Sequence, residues 1–169
     1  MAIIKSVRDI DPKWGENCFM ADNAVIAGEV TIGDNCSFWF GVVVRGDVNS
    51  ITIGDNTNIQ DGAIVHCTYQ KAKTVIGNNV SIGHNAIVHG CTIDDNVLIG
   101  MGAIVMDHAH IKSGSVIAAG AVVLQDTVVE PGVIFAGVPA REVKKVKGDL
   151  KNIFERTARN YIMYSKWYK

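Results

Sequence analysis

Three of the five histidines, His66, His84 and His89, lie close together in the middle of the chain. An imidazole nitrogen can bind a transition metal, and a neutral imidazole can act as a general base near neutral pH. A histidine in a repeat protein is, however, more often an ordinary surface or interface residue. What these three can do depends on how the fold positions them, so the elements that carry them have to be placed first.

Apolar residues recur along the chain at every sixth position. The series begins at Met20 and ends at Phe135, with insertions before Ile53 and Ile76 and one skipped residue before Ile93. Neither an α-helix nor a hairpin meander has this period. The pattern is typical of a repeat architecture, in which each repeat buries its apolar face only by stacking on its neighbours.

Turn-forming residues such as Gly33-Asp34-Asn35 follow the apolar positions, and the residue four places after each apolar one is nearly always small. A coil of short strands with a corner every six residues explains both features, because the large residue fills the interior and the small one fits the crowded corner. Three sides make a coil of about 18 residues. The sequence therefore predicts an all-β solenoid, a parallel β-helix of hexapeptide repeats, over residues 1–140.

A different pattern follows the repeats. Pro139, in Gly137-Val138-Pro139-Ala140, disfavours a further strand. Beyond it, one helical face would carry Leu150, Ile153, Phe154, Ala158, Tyr161 and Ile162. Asp149 is an acceptable N-cap for such a helix. We therefore expect residues 141–169 to form a linker and a C-terminal α-helix that packs on the β-helix.

Charge is divided unevenly between these two parts. Residues 1–140 carry 7 basic and 14 acidic residues, whereas residues 141–169 carry 9 and 3. The basic residues of the tail alternate with apolar ones at helical spacing, which favours packing on the acidic body over binding to nucleic acid. No apolar run is long enough for a membrane span or a signal peptide, so we expect a cytoplasmic protein with no membrane partner. Scattered cysteines without a CxxC pair are expected to be buried thiols: Cys18, Cys36, Cys67 and Cys91.

The register of the coils places the histidines. The three sides of one coil start from Ile53, Ile59 and Val65. In successive coils, the residue that directly follows the apolar residue of the third side is Arg45, His66, His89 and Met106. His66 and His89 are then stacked about 4.8 Å apart, and both can reach one zinc ion. His84 lies around a corner, in one column with Asp61, so a neighbouring subunit would have to complete a site of three histidines. The stacked pair could also form a ladder without metal, and we expect His108 and His110 to be surface residues.

Around these histidines the sequence resembles the gamma-class carbonic anhydrases. The resemblance rests on Val44-Arg45-Gly46-Asp47, Asn58-Ile59-Gln60-Asp61-Gly62, Val65-His66 and Ile82-Gly83-His84-Asn85-Ala86-Ile87-Val88-His89-Gly90-Cys91. It continues through Ile99-Gly100-Met101-Gly102-Ala103 and covers the chain from about Ala21 to Arg141. Hexapeptide acyltransferases share the period and the closing Gly137-Val138-Pro139-Ala140, but not this arrangement of histidines.

The resemblance implies left-handed coils, a homotrimer, and a zinc ion (or iron or cobalt) held by His66 and His89 of one subunit and His84 of the next. Three protein ligands and one water are the arrangement of a catalytic zinc, and the implied reaction is the reversible hydration of CO₂ to bicarbonate. The resemblance also implies that Gln60 orients the reacting species. It implies a pair of Arg45 and Asp47 across the interface. Asn58 and Asp61 would support this network. Tyr161 is a further candidate, although its place on the apolar helix face favours plain packing.

The sequence departs from the family where its best-studied members carry glutamates that relay protons. Val48 follows Asp47, and the insertion from Cys67 to Lys73 contains no acid. A proton must leave the site in every turnover, so we expect slow hydration of CO₂. Three alternatives stay open: an acyl-CoA thioesterase or transferase that uses the same site, a non-enzymatic metal-binding assembly subunit, and a metal-free hexapeptide acyltransferase with a histidine as general base.

Overall fold

Short parallel strands stack on the three sides of a continuous coil, as the six-residue period predicts. The computed structural model describes residues 1–148 and 152–168. The third side is built from β1 (Ile3–Lys5), the first parts of β4 (Val25–Ile32) and β6 (Val43–Ile53), β8 (Ile64–His66), β11 (Ile87–His89), β14 (Ile104–Val105) and β17 (Val122–Val123). The first side continues from β4 and β6 and adds β2 (Lys13–Trp14), β9 (Thr74–Ile76), β12 (Thr92–Ile93), β15 (His110–Ile111) and β18 (Val128–Val129).

The second side forms a separate sheet. Its parallel strands are β3 (Phe19–Met20), β5 (Ser37–Phe38), β7 (Asn58–Ile59), β10 (Ser81–Ile82), β13 (Leu98–Ile99), β16 (Val116–Ile117) and β19 (Val133–Gly137). The pairing follows the predicted register, since Ile59 lies beside Ile82 and Ile82 beside Ile99.

The apolar residues of the six-residue series fill the interior of the coil. All of them from Ile26 to Phe135 are buried, whereas Met20, at the start, is only partly buried. The two residues of β18 show the alternation: Val129 points inward and is 0% exposed, while Val128 points outward and is 51% exposed. The large and small inward residues therefore pack as the repeat pattern predicts.

One corner of the coil is made by asparagines in the left-handed region. Asn35, Asn56, Asn79 and Asn96 have φ values of 55°, 55°, 54° and 57°. Asparagine tolerates this conformation better than most residues do. The side chains of successive asparagines also hydrogen-bond to one another over 3.3, 3.2 and 3.3 Å, which ties each coil to the next.

The predicted C-terminal helix is present as α1 (Ile153–Ser165), followed by a 3₁₀ turn at Lys166–Tyr168. It buries Phe154 and Ala158 and contacts β5 and β10 of the second side. The expected N-cap Asp149 and the first apolar residue Leu150 lie outside the described residues. The helix therefore covers part of the second side, and no helix in the described part of the chain is long and apolar enough to cross a membrane.

A strand that the sequence analysis did not predict lies between the last coil and the helix. β20 (Ala140–Lys145) turns back after Pro139 and pairs antiparallel with β19. Pro139 ends the parallel repeat as expected, but the chain continues in the sheet with reversed direction. The division of the chain at residue 140 stays a prediction.

Candidate metal centre

His66 and His89 lie side by side at the ends of β8 and β11, in the register that the repeat predicts. Their ring centroids are 5.1 Å apart. His66 Nδ1 and His89 Nε2 face each other over 3.1 Å. Two nitrogens bound to one tetrahedral zinc at about 2.0 to 2.1 Å are separated by roughly 3.3 Å. The two imidazoles therefore have the spacing of two ligands of one metal ion.

The remaining ring nitrogen of each of these histidines contacts a carboxylate. Asp47 Oδ1 lies 3.1 Å from His66 Nε2, and Asp107 Oδ1 lies 2.5 Å from His89 Nδ1. A carboxylate behind an imidazole fixes its orientation and its tautomer and makes the free nitrogen a better metal ligand. The donor set therefore fits a zinc ion, and the carboxylates leave the facing nitrogens available for it.

Asp107 is a site residue that sequence reasoning missed. It lies in the coil after His89, directly over Gly90, where a Cβ atom would come within 2.5 Å of its Oδ1. Its other oxygen accepts a hydrogen bond from the Thr68 hydroxyl. The register could have revealed it, because Asp107 stands two residues after Val105, in the column of Gly90.

Asp47 connects His66 to Arg45. The Arg45 guanidinium lies 2.5 Å from Asp47 Oδ2, so these two residues pair within the chain, along β6. The pair across an interface that the resemblance implies stays a prediction. Burial raises the pKa of Asp47, but the hydrogen bonds from Arg45 and His66 outweigh it and hold this pKa below its usual value. Burial in turn lowers the pKa of His66, opposed by Asp47. The imidazole is therefore neutral near pH 7, as a metal ligand must be.

Gln60 and Asn58 form a buried polar chain on the second side. Gln60 is 8% exposed and its amide nitrogen donates to Asn58 Oδ1 over 3.0 Å. Asn58 donates to the Ser81 hydroxyl over 2.8 Å. Gln60 and His84 line the same cleft, which has a volume of about 330 Å³. Asn58 therefore fixes the Gln60 amide in the cleft that His84 also lines, and its role in a reaction stays a prediction.

His84 lies at the corner between the second and third sides, after β10. Its Nδ1 is 2.9 Å from Asp61 Oδ2, so that it too has a carboxylate behind one ring nitrogen. Tyr161 of α1 lies next to Asp61. Burial, and secondly the Asp61 charge, raises the pKa of Tyr161 to about 12, and its ring packs against Trp39 at 5.4 Å. Tyr161 therefore packs beside Asp61, and no contact joins it to His66 or His89 in the described structure.

The three histidines do not form one site within a single chain. Among residues 1–148 and 152–168, no group of three His, Cys, Asp or Glu residues could hold a metal ion. This agrees with the expectation from the register, which puts His84 around a corner from the His66–His89 pair. The His84 side chain is exposed at this corner.

Comparison with known proteins establishes the relationships of the chain. Residues 15–46, 73–107 and 90–125 match the family described as bacterial transferase hexapeptide (six repeats). The crystal structure of a hexapeptide transferase family protein from Anaplasma phagocytophilum superimposes with a TM-score of 0.95 at 40% identity, over 99% of this chain and 98% of that one. The protein is thus a hexapeptide-repeat β-helix.

Similar proteins with assigned names identify the family within the hexapeptide-repeat β-helices. A probable carbonic anhydrase of Methanocaldococcus jannaschii is 44% identical over 89% of this chain and 94% of its own length. Gamma carbonic anhydrase 2, mitochondrial, of Arabidopsis thaliana is 37% identical, and the chain spans 59% of its length. The chain belongs to the gamma-class carbonic anhydrase family, and with it to the left-handed β-helices.

Proposed function

We propose that the protein is a zinc-dependent carbonic anhydrase that interconverts CO₂ and bicarbonate at sites shared between the subunits of a homotrimer. The observation that carries this proposal is the pair of imidazole nitrogens, His66 Nδ1 and His89 Nε2, which face each other over 3.1 Å with a carboxylate behind each ring. Family membership supports it, since several relatives bear the name carbonic anhydrase. Iron or cobalt could take the place of zinc with the same ligands.

Each site needs a third ligand, and His84 of a neighbouring subunit would supply it. Asp61 Oδ2 lies 2.9 Å from His84 Nδ1, and His84 Nε2 would be the ligand atom at this exposed corner of the coil. Three imidazoles leave one open position on a tetrahedral metal. Zinc bound there would activate a water molecule near neutral pH, where its pKa falls to about 7, a value known from carbonic anhydrases themselves.

The side chains around the metal position would orient the reactants. The amide of Gln60, held by Asn58, can hydrogen-bond to an oxygen of CO₂ or bicarbonate. The Arg45–Asp47 pair keeps the Asp47 carboxylate ionised behind His66. The Asp107 carboxylate lies behind His89 in the same way and accepts a hydrogen bond from the Thr68 hydroxyl. The chain's own residues would therefore hold the metal ligands in place and orient the reactants.

Metal content and CO₂ hydration of anaerobically purified protein test this function together. We expect a full complement of metal and measurable hydration by stopped flow, and the loss of both in His66→Ala. His110→Ala is the matched control, because His110 also contacts an aspartate, Asp94, over 2.8 Å, but outside the site. Wild-type protein without metal, or a His66→Ala variant that keeps it, would overturn the proposal.

A second candidate function, hydrolysis or transfer of an acyl thioester at the same metal site, is favoured by one observation. The cleft beside His84 and Gln60 runs on between apolar side chains, among them Leu98, Met101 and Val116, and its volume of about 330 Å³ exceeds what CO₂ requires. Pockets for drug-sized ligands start at about 300 Å³. Assays of acyl-CoA hydrolysis beside CO₂ hydration distinguish the two. Full metal with neither activity would point to the non-enzymatic assembly subunit.

A location in the cytoplasm stays a prediction from the sequence.

A further inference from the structure

Six aromatic side chains form a continuous arc where the end of α1 meets the lower coils. Neighbouring rings contact each other in the order Phe40, Tyr168, Trp39, Tyr161, Tyr164 and Trp167. Their centroids are 4.9 to 5.8 Å apart. The arc encloses a cleft of about 230 Å³. Two of the rings that line it are exposed to solvent, Trp167 by 69% and Tyr168 by 57%.

The cleft carries one charged group. Asp61 is the only ionisable acid or base other than tyrosine among its lining residues. Its Oδ2 contacts His84, and Oδ1 makes no hydrogen bond or ion pair within the described part of the chain. The cleft also lies at the C-terminal end of α1, where the helix dipole places a partial negative charge. The negative charge of Asp61 and the dipole of α1 both favour a cation inside the arc.

Aromatic faces attract the same kind of ligand. The π face of tryptophan, tyrosine or phenylalanine is electrostatically negative and binds cations, most strongly where water is excluded. Alkylated ammonium groups suit such a site because they lose little hydration and contact several rings at once. The volume is below the usual range for drug-sized ligands, about 300 to 1,000 Å³, and so fits a small headgroup.

We infer that the cleft lined by the aromatic arc and Asp61 binds a small alkylated ammonium cation, such as a trimethylammonium group. This site is separate from the His66–His89 pair, and it does not depend on the proposed carbonic anhydrase activity. It touches the metal centre only through Asp61, which contacts both the cleft and His84. A bound cation would share the Asp61 carboxylate with that imidazole.

Calorimetric titration of the full-length protein with choline tests the inference. The control ligand is 3,3-dimethylbutan-1-ol, which has the same shape but no charge, and ionic strength is held constant because charged ligands respond to salt. We expect saturable binding of choline that is at least about tenfold tighter than that of the alcohol, as for a partly desolvated cation on several rings. Equal binding of the two ligands would show a merely apolar cleft and overturn the inference, as would the absence of saturable choline binding.

Three variants locate the site. Tyr168→Ala and Trp167→Ala remove exposed rings, so the fold is kept, and each should weaken choline binding at least about fivefold. Asp61→Asn should weaken choline binding but leave binding of the alcohol unchanged. Trp14→Ala is the matched control, since Trp14 is an exposed tryptophan on β2, away from the cleft. If all three variants bind choline like wild type, or if Trp14→Ala weakens it equally, choline binds elsewhere and the inference is wrong.

Discussion

The carboxylate of Asp107 reaches His89 across the space that Gly90 leaves empty, one coil below it. A Cβ atom at position 90 would lie 2.5 Å from Asp107 Oδ1, the oxygen that contacts His89 Nδ1. A glycine is thus required for the aspartate to hold the imidazole.

Asp107→Asn should lower zinc affinity by about 10- to 100-fold, because the imidazole of His89 loses the carboxylate that orients it. The measurement is competition with a chromophoric chelator. Asp94→Asn is the control, since Asp94 holds His110 in a similar contact outside the site. Unchanged affinity in Asp107→Asn, with Asp94→Asn also unchanged, would show that Asp107 has no part in holding the metal.

Mixed trimers test whether the site is shared between subunits. His66→Ala and His84→Ala should each lose zinc, because two ligands rarely hold it where three are needed. When the two variants are unfolded and reassembled together, each mixed trimer has one interface with all three histidines, so about a third of its sites should return. Zinc per trimer is the measurement. Wild type refolded in the same way should bind fully, and no recovery in the mixture would contradict a shared site.

Hydration of CO₂ should be slow and should rise with the concentration of small buffers such as imidazole. Neither Val48 nor the loop after His66 offers an acid to relay protons. The nearby acids are both engaged, Asp47 by His66 and Arg45 and Asp107 by His89 and Thr68. An external buffer can carry the proton instead. A high rate that ignores buffer concentration would reveal another relay.

The inward and outward residues of β18 should differ in their effect on stability. Val129→Ala removes buried methyl groups and should lower the free energy of unfolding by about 2 to 3 kcal/mol. Val128→Ala, on the exposed side of the same strand, should change it by less than about 0.5 kcal/mol. Urea unfolding followed by circular dichroism measures both. Equal effects would mean that the register of this coil is wrong.

The thiols should differ in their reactivity with pH. The interaction with Cys36, opposed by burial, lowers the pKa of Cys18 to about 7, whereas burial raises that of Cys91 to about 12. Only the thiolate reacts, and its fraction grows as pH rises through the pKa. Alkylation of Cys18 by iodoacetamide should therefore have its midpoint near pH 7, with Cys91 unmodified at pH 8. Peptide mass spectrometry measures each site, and a Cys18 midpoint at the ordinary thiol pKa of about 8.5 would contradict this.

The sequence was sufficient to predict the features that depend on the repeat. The period of six places Val129 inside and stacks His66 on His89, because every coil repeats the same backbone path. The register could have placed Asp107 in the column of Gly90, but the contact of its carboxylate with His89 depends on side-chain rotation and could not be predicted. Nor could the sequence predict β20, because the antiparallel pairing follows a reversal of the chain at Pro139, and the six-residue period does not indicate this reversal. The intersubunit part of the site lies beyond one chain's contacts and stays a prediction.

The reversal at β20 also limits how far the coil can extend. The last strand of a parallel solenoid exposes unpaired backbone groups, and another chain could add to them and continue the stack into a fibre. β20 occupies that edge on the second side by pairing with β19 in the opposite direction. Its outer edge is rich in charge, with Arg141, Glu142, Lys144 and Lys145, which disfavours the approach of a further strand. On the second side, β20 therefore ends the stack of parallel strands at this coil.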